Sequence, residues 1–239
     1  MSHQRRQRNG NNPKEQDFSS IRKVIRGAIR MPREIRPVAE KSQQEAVQIT
    51  LEEPKSDLEN GTNSSRDREL REHRTLCAPL LQAALKGDWK TGEAFLKKNP
   101  HCIALPITKE EGTALHNAAA TKRTTFVKQL VKLMKPSDLE LQTTEGCTAL
   151  IFAVQSGSVT IAREMVEKNN KLPCIRKDDK MTPLGSAAWC GPRHKKMVSY
   201  LLSVTPYEHL TAHERTGLLL GTIHSDMFGM VLVSLNVVD

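Results

Sequence analysis

The side chains able to do chemistry in this 239-residue chain are few and scattered. His116 follows Leu115 in the run Thr113-Ala114-Leu115-His116-Asn117-Ala118-Ala119, where an imidazole could serve as a base or a metal ligand. No second ligand or nucleophile stands at a matching spacing, so the ring is expected to hydrogen-bond nearby turn backbone instead. Gly185-Ser186 offers a hydroxyl beside a glycine but lacks the strand–turn–helix setting of a nucleophile elbow. Five cysteines, at 77, 102, 147, 174 and 190, form no CxxC pair and no Cys/His metal spacing, and are expected to be reduced thiols. Neither a phosphate-cradling glycine loop nor a pair of acid/base carboxylates can be read. The expectation is no catalytic residue, no metal, no cofactor and no enzyme, which leaves binding.

What positions these residues is a repeat. Thr148 follows Thr113 by 35 residues, and Thr182 follows Thr148 by 34. Each threonine opens two short apolar-periodic helices, joined by a tight turn and followed by a polar excursion. A period of about 33 residues in helix–turn–helix units predicts an all-α solenoid of stacked repeats. About five are expected, at 76–111, 112–145, 146–179, 180–212 and 213–239, with the first and last degenerate. Aromatics make up only 4% of the chain, so Leu, Val, Ile and Ala must build the core. The threonine hydroxyl satisfies helix-start donors, and the small alanines let helices approach closely. Outer helices are expected at Trp89 to Lys98, with Ala94, Phe95 and Trp89 as the inward candidates, and at Phe126 to Lys135. The last unit reads as Leu210 to Leu220 and Asp226 to Leu235. Phe228, Met230, Val231, Leu232, Val233 and Leu235 exceed one buried face, so this end either self-associates, meets a partner, or folds Val233 to Val238 back over itself.

Residues 1–75 read as a disordered basic tail, rich in Gln, Asn, Ser and Arg and poor in large apolar residues. Up to Arg36 it holds ten Lys or Arg (5, 6, 8, 14, 22, 23, 26, 30, 33, 36) against three acids (15, 17, 34). Within it, residues 20–31 form a candidate amphipathic helix. Ile21, Val24, Ile25, Ala28 and Ile29 share one face, and Arg22, Lys23, Arg26 and Arg30 fall largely on the other. Three readings stand: contact with an anionic membrane or an acidic groove through those four cations, nuclear import through Arg5 to Arg8, or a solvated arm. Nucleic acid is not an expected partner, because no aromatics interleave the arginines. With no 18-residue apolar run and no apolar signal core, an intracellular, cytoplasmic place is expected, at the cytosolic face of the plasma membrane if the basic helix anchors it.

The phrases Thr113-Ala114-Leu115-His116-Asn117-Ala118-Ala119 and Thr182-Pro183-Leu184-Gly185-Ser186-Ala187-Ala188 resemble the Thr-Pro-Leu-His-x-Ala-Ala motif of ankyrin repeats. Ala83 to Trp89, Phe126 to Val131 and Leu172 to Arg176 resemble plant ankyrin proteins of the accelerated-cell-death, PGG-domain type. The resemblance covers about Leu76 to Asp239, the ankyrin part without the membrane domain of those relatives. It implies a non-enzymatic scaffold or adaptor in plant stress and defence signalling, with a peripheral membrane regulator as the alternative. Carrying the ankyrin concave face onto these repeats nominates Asn117 and Thr121, then Gln142, Thr144, Glu145, Phe152, Gln155 and Ser156. In the fourth repeat it nominates Arg176, Asp178, Asp179, Met181, Ser186, Trp189 and Cys190. Trp189 is the strongest candidate anchor for a partner, with packing between layers as its alternative. The motif's turn glycine is replaced by Lys122, and Glu111 takes another glycine position, which predicts strained turns and weaker layers.

Overall fold

The computed structural model describes residues 65–227. The basic segment with Arg22, Lys23, Arg26 and Arg30, and the apolar run from Phe228, lie outside the described residues. Within them are nine α-helices: α1 (Ser65–Lys86), α2 (Trp89–Lys98), α3 (Ala114–Ala120), α4 (Thr124–Leu133), α5 (Ala149–Ser156), α6 (Val159–Lys168), α7 (Pro183–Trp189), α8 (Lys195–Val204) and α9 (Ala212–His224). Among the described residues there is no strand, only an isolated antiparallel bridge between Gln142 and Thr148.

The helices form two layers. Inner helices α1, α3, α5, α7 and α9 stack in that order, outer helices α2, α4, α6 and α8 stack behind them, and each of the first four inner helices packs on its own outer helix. The inner layer is built on alanine: Ala83, Ala84, Ala114, Ala118, Ala119, Ala149, Ala153, Ala187 and Ala188 are all buried. The outer layer supplies bulk through Phe126, Leu130, Ile161, Met165, Val198 and Leu201, also buried. Burying one such side chain fully contributes about 1.5–3 kcal/mol.

Three local features differ from the sequence reading. Helix α1 begins at Ser65, well before the expected first repeat, and keeps Pro79 inside it. Gly87 and Lys122 occupy the same turn 35 residues apart, which aligns Pro79 with Ala114, a residue that opens an inner helix. Proline is tolerated there because a helix-start N–H needs no intrahelical partner. The chain upstream is polar and mostly exposed, with Arg68 paired to Glu72 at 3.2 Å on successive turns. Ala94, expected to face inward, is exposed; Gly92 and Leu96 are the buried residues of α2. Gly92 is buried because the Phe126 ring of α4 lies against it. Finally, Thr211 caps α9 only 29 residues after Thr182. A single 3₁₀ turn, Tyr207–His209, replaces the polar excursion found between earlier repeats.

Left-handed residues recur at two places among the described residues, the turn after an inner helix and the excursion before the next one. The turns that follow inner helices use Gly87, Lys122, Gly157 and Asp226, with φ of 77°, 58°, 73° and 56°, while the turn after α7 has Gly191 at φ 92° and ψ 177°. The excursions use Glu111, Gly146 and Lys180 at 60°, 70° and 66°. Repetition of the backbone thus overrides residue preference at four non-glycine positions.

Candidate functional site

The excursions are short fingers projecting beyond the start of each inner helix, and the structure ties them into one edge. A threonine closes the first two. Thr108 Oγ1 accepts the Gly112 N–H at 2.9 Å, and Thr143 Oγ1 accepts the Cys147 N–H at 3.3 Å. In the third, the Asp179 carboxylate holds both the Met181 N–H and Lys177 Nζ at 2.9 Å. Neighbouring fingers join through backbone: the Thr144 N–H donates to the Glu110 carbonyl at 2.9 Å, and the Asp178 N–H donates to Glu145 at 3.4 Å. Gln142 Nε2 adds bonds to the Gly146 and Arg176 carbonyls at 2.7 and 3.0 Å.

Of the nominated residues, Gln142, Thr144, Glu145, Asp178 and Asp179 stand exposed on this edge. Met181 is half-buried beside them. Asn117 on α3 and Thr121 at its C-terminal cap are half-buried, and each side chain bonds a main-chain carbonyl one turn earlier, Thr113 and Asn117 respectively. Phe152 is half-buried on α5, its ring edge-on to His116 with centroids 5.5 Å apart, and Gln155 is half-buried one turn later. The remaining nominees are turned inward or engaged. Ser156 and Ser186 are buried, and Cys190 Sγ donates to the Ser186 carbonyl at 3.2 Å. Trp189 is 7% exposed and packs on α9, with Gly221 against its indole and His224 at 5.5 Å between centroids. The early arrival of α9 after the shortened finger brings it over Trp189.

Arg176 is a clamp rather than an open contact. Its guanidinium takes both oxygens of Glu214, at 2.6 and 3.2 Å, and donates to the His209 carbonyl at 2.9 Å, so the third finger is tied to the fifth repeat. Partial burial opposes ionisation of Glu214, but Arg176 and the Thr211 backbone hold its carboxyl below the ordinary value.

His116 is fully enclosed and bridges two repeats. Its Nδ1 accepts the Thr113 N–H at 3.1 Å, so Nε2 carries the proton and donates to the Cys147 carbonyl at 3.1 Å. Burial pushes its pKa down to about 4, against two backbone carbonyl bonds that raise it. A neutral imidazole with both nitrogens engaged is a strut, not a base. Burial pushes Cys77 up to about 12 and Cys147 and Cys190 up to about 11, so these three are thiols and not reactive thiolates. Among the described residues no three His, Cys, Asp or Glu side chains gather as metal ligands, and no helix is long and apolar enough to cross a membrane.

Sequence reasoning missed Lys109, Glu110 and Lys180, which complete the finger edge. Their signal was available: Glu110 and Lys109 lie 35 residues before the nominated Glu145 and Thr144. The finished edge exposes Glu110, Glu145 and Asp178 beside Lys109 and Lys180, with Asp179 paired to Lys177, so its surplus is slightly acidic.

Comparison with known proteins fits this geometry. A protein of Caenorhabditis elegans, Ankyrin repeat and KH domain-containing protein mask-1, is 28% identical over 134 residues. That stretch is 55% of this chain and 5% of the relative, so the chain spans a small part of that protein's length. Residues 115–211 match the family model described as ankyrin repeats, in three copies. Residues 115–211 are therefore ankyrin repeats, a fold that serves as a protein–protein interaction module, and the same two-layer helix packing continues on either side of them among the described residues.

Proposed function

We propose that this chain is a non-enzymatic scaffold or adaptor whose finger edge and adjoining inner-helix surface receive a protein partner. The observation that carries the reading is the backbone-linked row of fingers presenting Lys109, Glu110, Gln142, Thr144, Glu145 and Asp178 together. Such an edge is preorganised, so little loop ordering has to accompany binding. Its acidic side chains suit a partner with a basic or mixed surface, with Phe152, Met181, Asn117, Thr121 and Gln155 at the base for apolar and polar contact.

The phrases at Ala83 to Trp89, Phe126 to Val131 and Leu172 to Arg176 support a place in plant stress and defence signalling, beside the relatives they resemble. The amphipathic pattern of residues 20–31 supports attachment of the scaffold to an anionic membrane through Arg22, Lys23, Arg26 and Arg30. The function is tested by comparing partners captured by the wild-type chain and by a Glu110→Lys/Thr144→Arg/Glu145→Lys variant. Loss of a reproducible set of partners is expected, and an unchanged set would reject the finger edge. Salt-sensitive binding to phosphatidylserine vesicles that disappears with residues 1–36 is expected of the membrane reading, and absence of such binding would remove it.

A further inference from the structure

The end of the stack opposite the fingers is a ridge made by the turns between inner and outer helices. Its charged side chains are nearly all of one sign. Lys86, Lys90, Lys122, Arg123, Arg193, Lys195 and Lys196 are exposed there, against two acids, Asp88 and, at the turn after α9, Asp226. Both oxygens of Asp88 are already used, on the Thr91 N–H at 3.1 Å and the Thr91 hydroxyl at 2.6 Å, where the carboxylate caps α2. Among the described residues none of the seven cations is in an ion pair. Charge is thus separated along the helices, slightly acidic at the fingers and basic at the turns.

The ridge is divided. Arg123 lies against Gly87 and donates to the Leu85 carbonyl, which joins the first two turns into one cluster of Lys86, Lys90, Lys122 and Arg123. The third turn, Gly157-Ser158, is uncharged, and the fourth supplies Arg193, Lys195 and Lys196. Stacked helices lie about 8–10 Å apart, so two repeats separate the Lys122 turn from the Arg193 turn by roughly 20 Å. An extended polypeptide covers that span with about six residues.

We propose that this ridge is a second docking surface, distinct from the finger edge, for an acidic polypeptide segment carrying two carboxylate clusters about six residues apart. Single-stranded nucleic acid is disfavoured because no aromatic is offered for stacking: Trp89 packs edge-on against Phe126 at 5.4 Å between centroids. A lipid surface is disfavoured because Leu76, Leu133 and Leu141, the exposed large apolar residues, lie off the ridge, and charge alone holds a bilayer weakly.

The test uses the full chain and a labelled peptide with two triple-glutamate clusters separated by a neutral spacer, read by fluorescence anisotropy at two salt concentrations. Binding is expected to weaken with salt, and to fall about tenfold or more in Lys86→Glu/Lys122→Glu/Lys195→Glu/Lys196→Glu. A second variant with Gln at the same four exposed positions is expected to show an intermediate loss, and Glu110→Gln/Glu145→Gln none. Merging the two clusters into one block is expected to cost severalfold. Equal binding by the ridge variants would overturn the proposal. So would tighter ridge-dependent binding to phosphatidylserine vesicles or to a single-stranded oligonucleotide, which would give the surface to lipid or nucleic acid.

Discussion

Arg123 Nε donates to the Leu85 carbonyl at 2.6 Å, reaching from the turn of one repeat to the end of the preceding inner helix. Two repeats on, His194 Nε2 makes the same reach to the Gln155 carbonyl at 3.2 Å. The acceptors Leu85 and Gln155 are 70 residues apart, and Ala120 stands midway at the equivalent position. Its counterpart donor is Ser158, which is too short to span the gap. A ladder of cross-repeat bonds therefore has one missing rung, between the second and third repeats.

Ser158→Arg is expected to restore the rung and raise stability by about 0.5–1.5 kcal/mol, the net value of one hydrogen bond. Arg123→Ala is expected to lower it by a similar amount. Denaturant midpoints of the two variants check both, and no change in either would show that the bonds are not stabilising.

Lys122→Gly and Lys180→Gly should each stabilise the stack. The left-handed conformation costs a side-chain-bearing residue about 1–2 kcal/mol, and glycine's larger unfolded entropy returns about 0.4–1 of that. A net gain of about 0.5–1 kcal/mol per site is expected from thermal unfolding. A loss at Lys122 would mean that its side chain makes contacts outweighing the strain.

Much of this strain was legible beforehand. Alignment of the repeats marks Lys122 and Glu111 as standing where glycine belongs, and both have positive φ. Asp226 and Lys180 share the conformation without having been singled out, although Lys180, like Gly146, stands two residues before a helix-capping threonine. Period, capping threonines and alanine-rich inner helices follow from local pattern and are readable. What pattern does not carry is which side chain meets which neighbour. Ala94 looked like an inward residue until the Phe126 ring took Gly92 instead, and Trp189 could be read as an anchor or as packing between layers until a 29-residue spacing placed α9 against it. The polar start of α1 was hidden for a related reason, since its composition resembles a solvated tail while its i,i+4 pairing supports a helix.

Trp189→Ala is expected to cost about 3–5 kcal/mol, as for other large buried aromatics, and to loosen α9 first. Hydrogen exchange would show faster exchange across Ala212–His224 than across α3 or α5. A variant with unchanged Tm would place the indole on an open surface instead.

Acid should weaken the contact between the second and third repeats. His116 titrates near 4 when folded and near 6.5 when free, so the unfolded chain binds the extra proton between those values. Stability from this group is complete above about pH 6.5 and is lost progressively towards pH 4, by up to about 3 kcal/mol. Unfolding at stepped pH for wild type and His116→Gln should show the slope in the first and a reduced slope in the second. Equal slopes would mean that other groups govern the acid limb.

The central claim, that the finger edge is where a protein partner docks, is tested most directly by site-specific photo-crosslinking. A crosslinker at Thr144 on the edge is compared with one at Thr160, exposed on outer helix α6. Discrete adducts from Thr144, absent from Thr160 and removed by Glu110→Lys/Glu145→Lys, are the predicted result. Adducts from Thr160 alone, or an identical pattern from both positions, would contradict it.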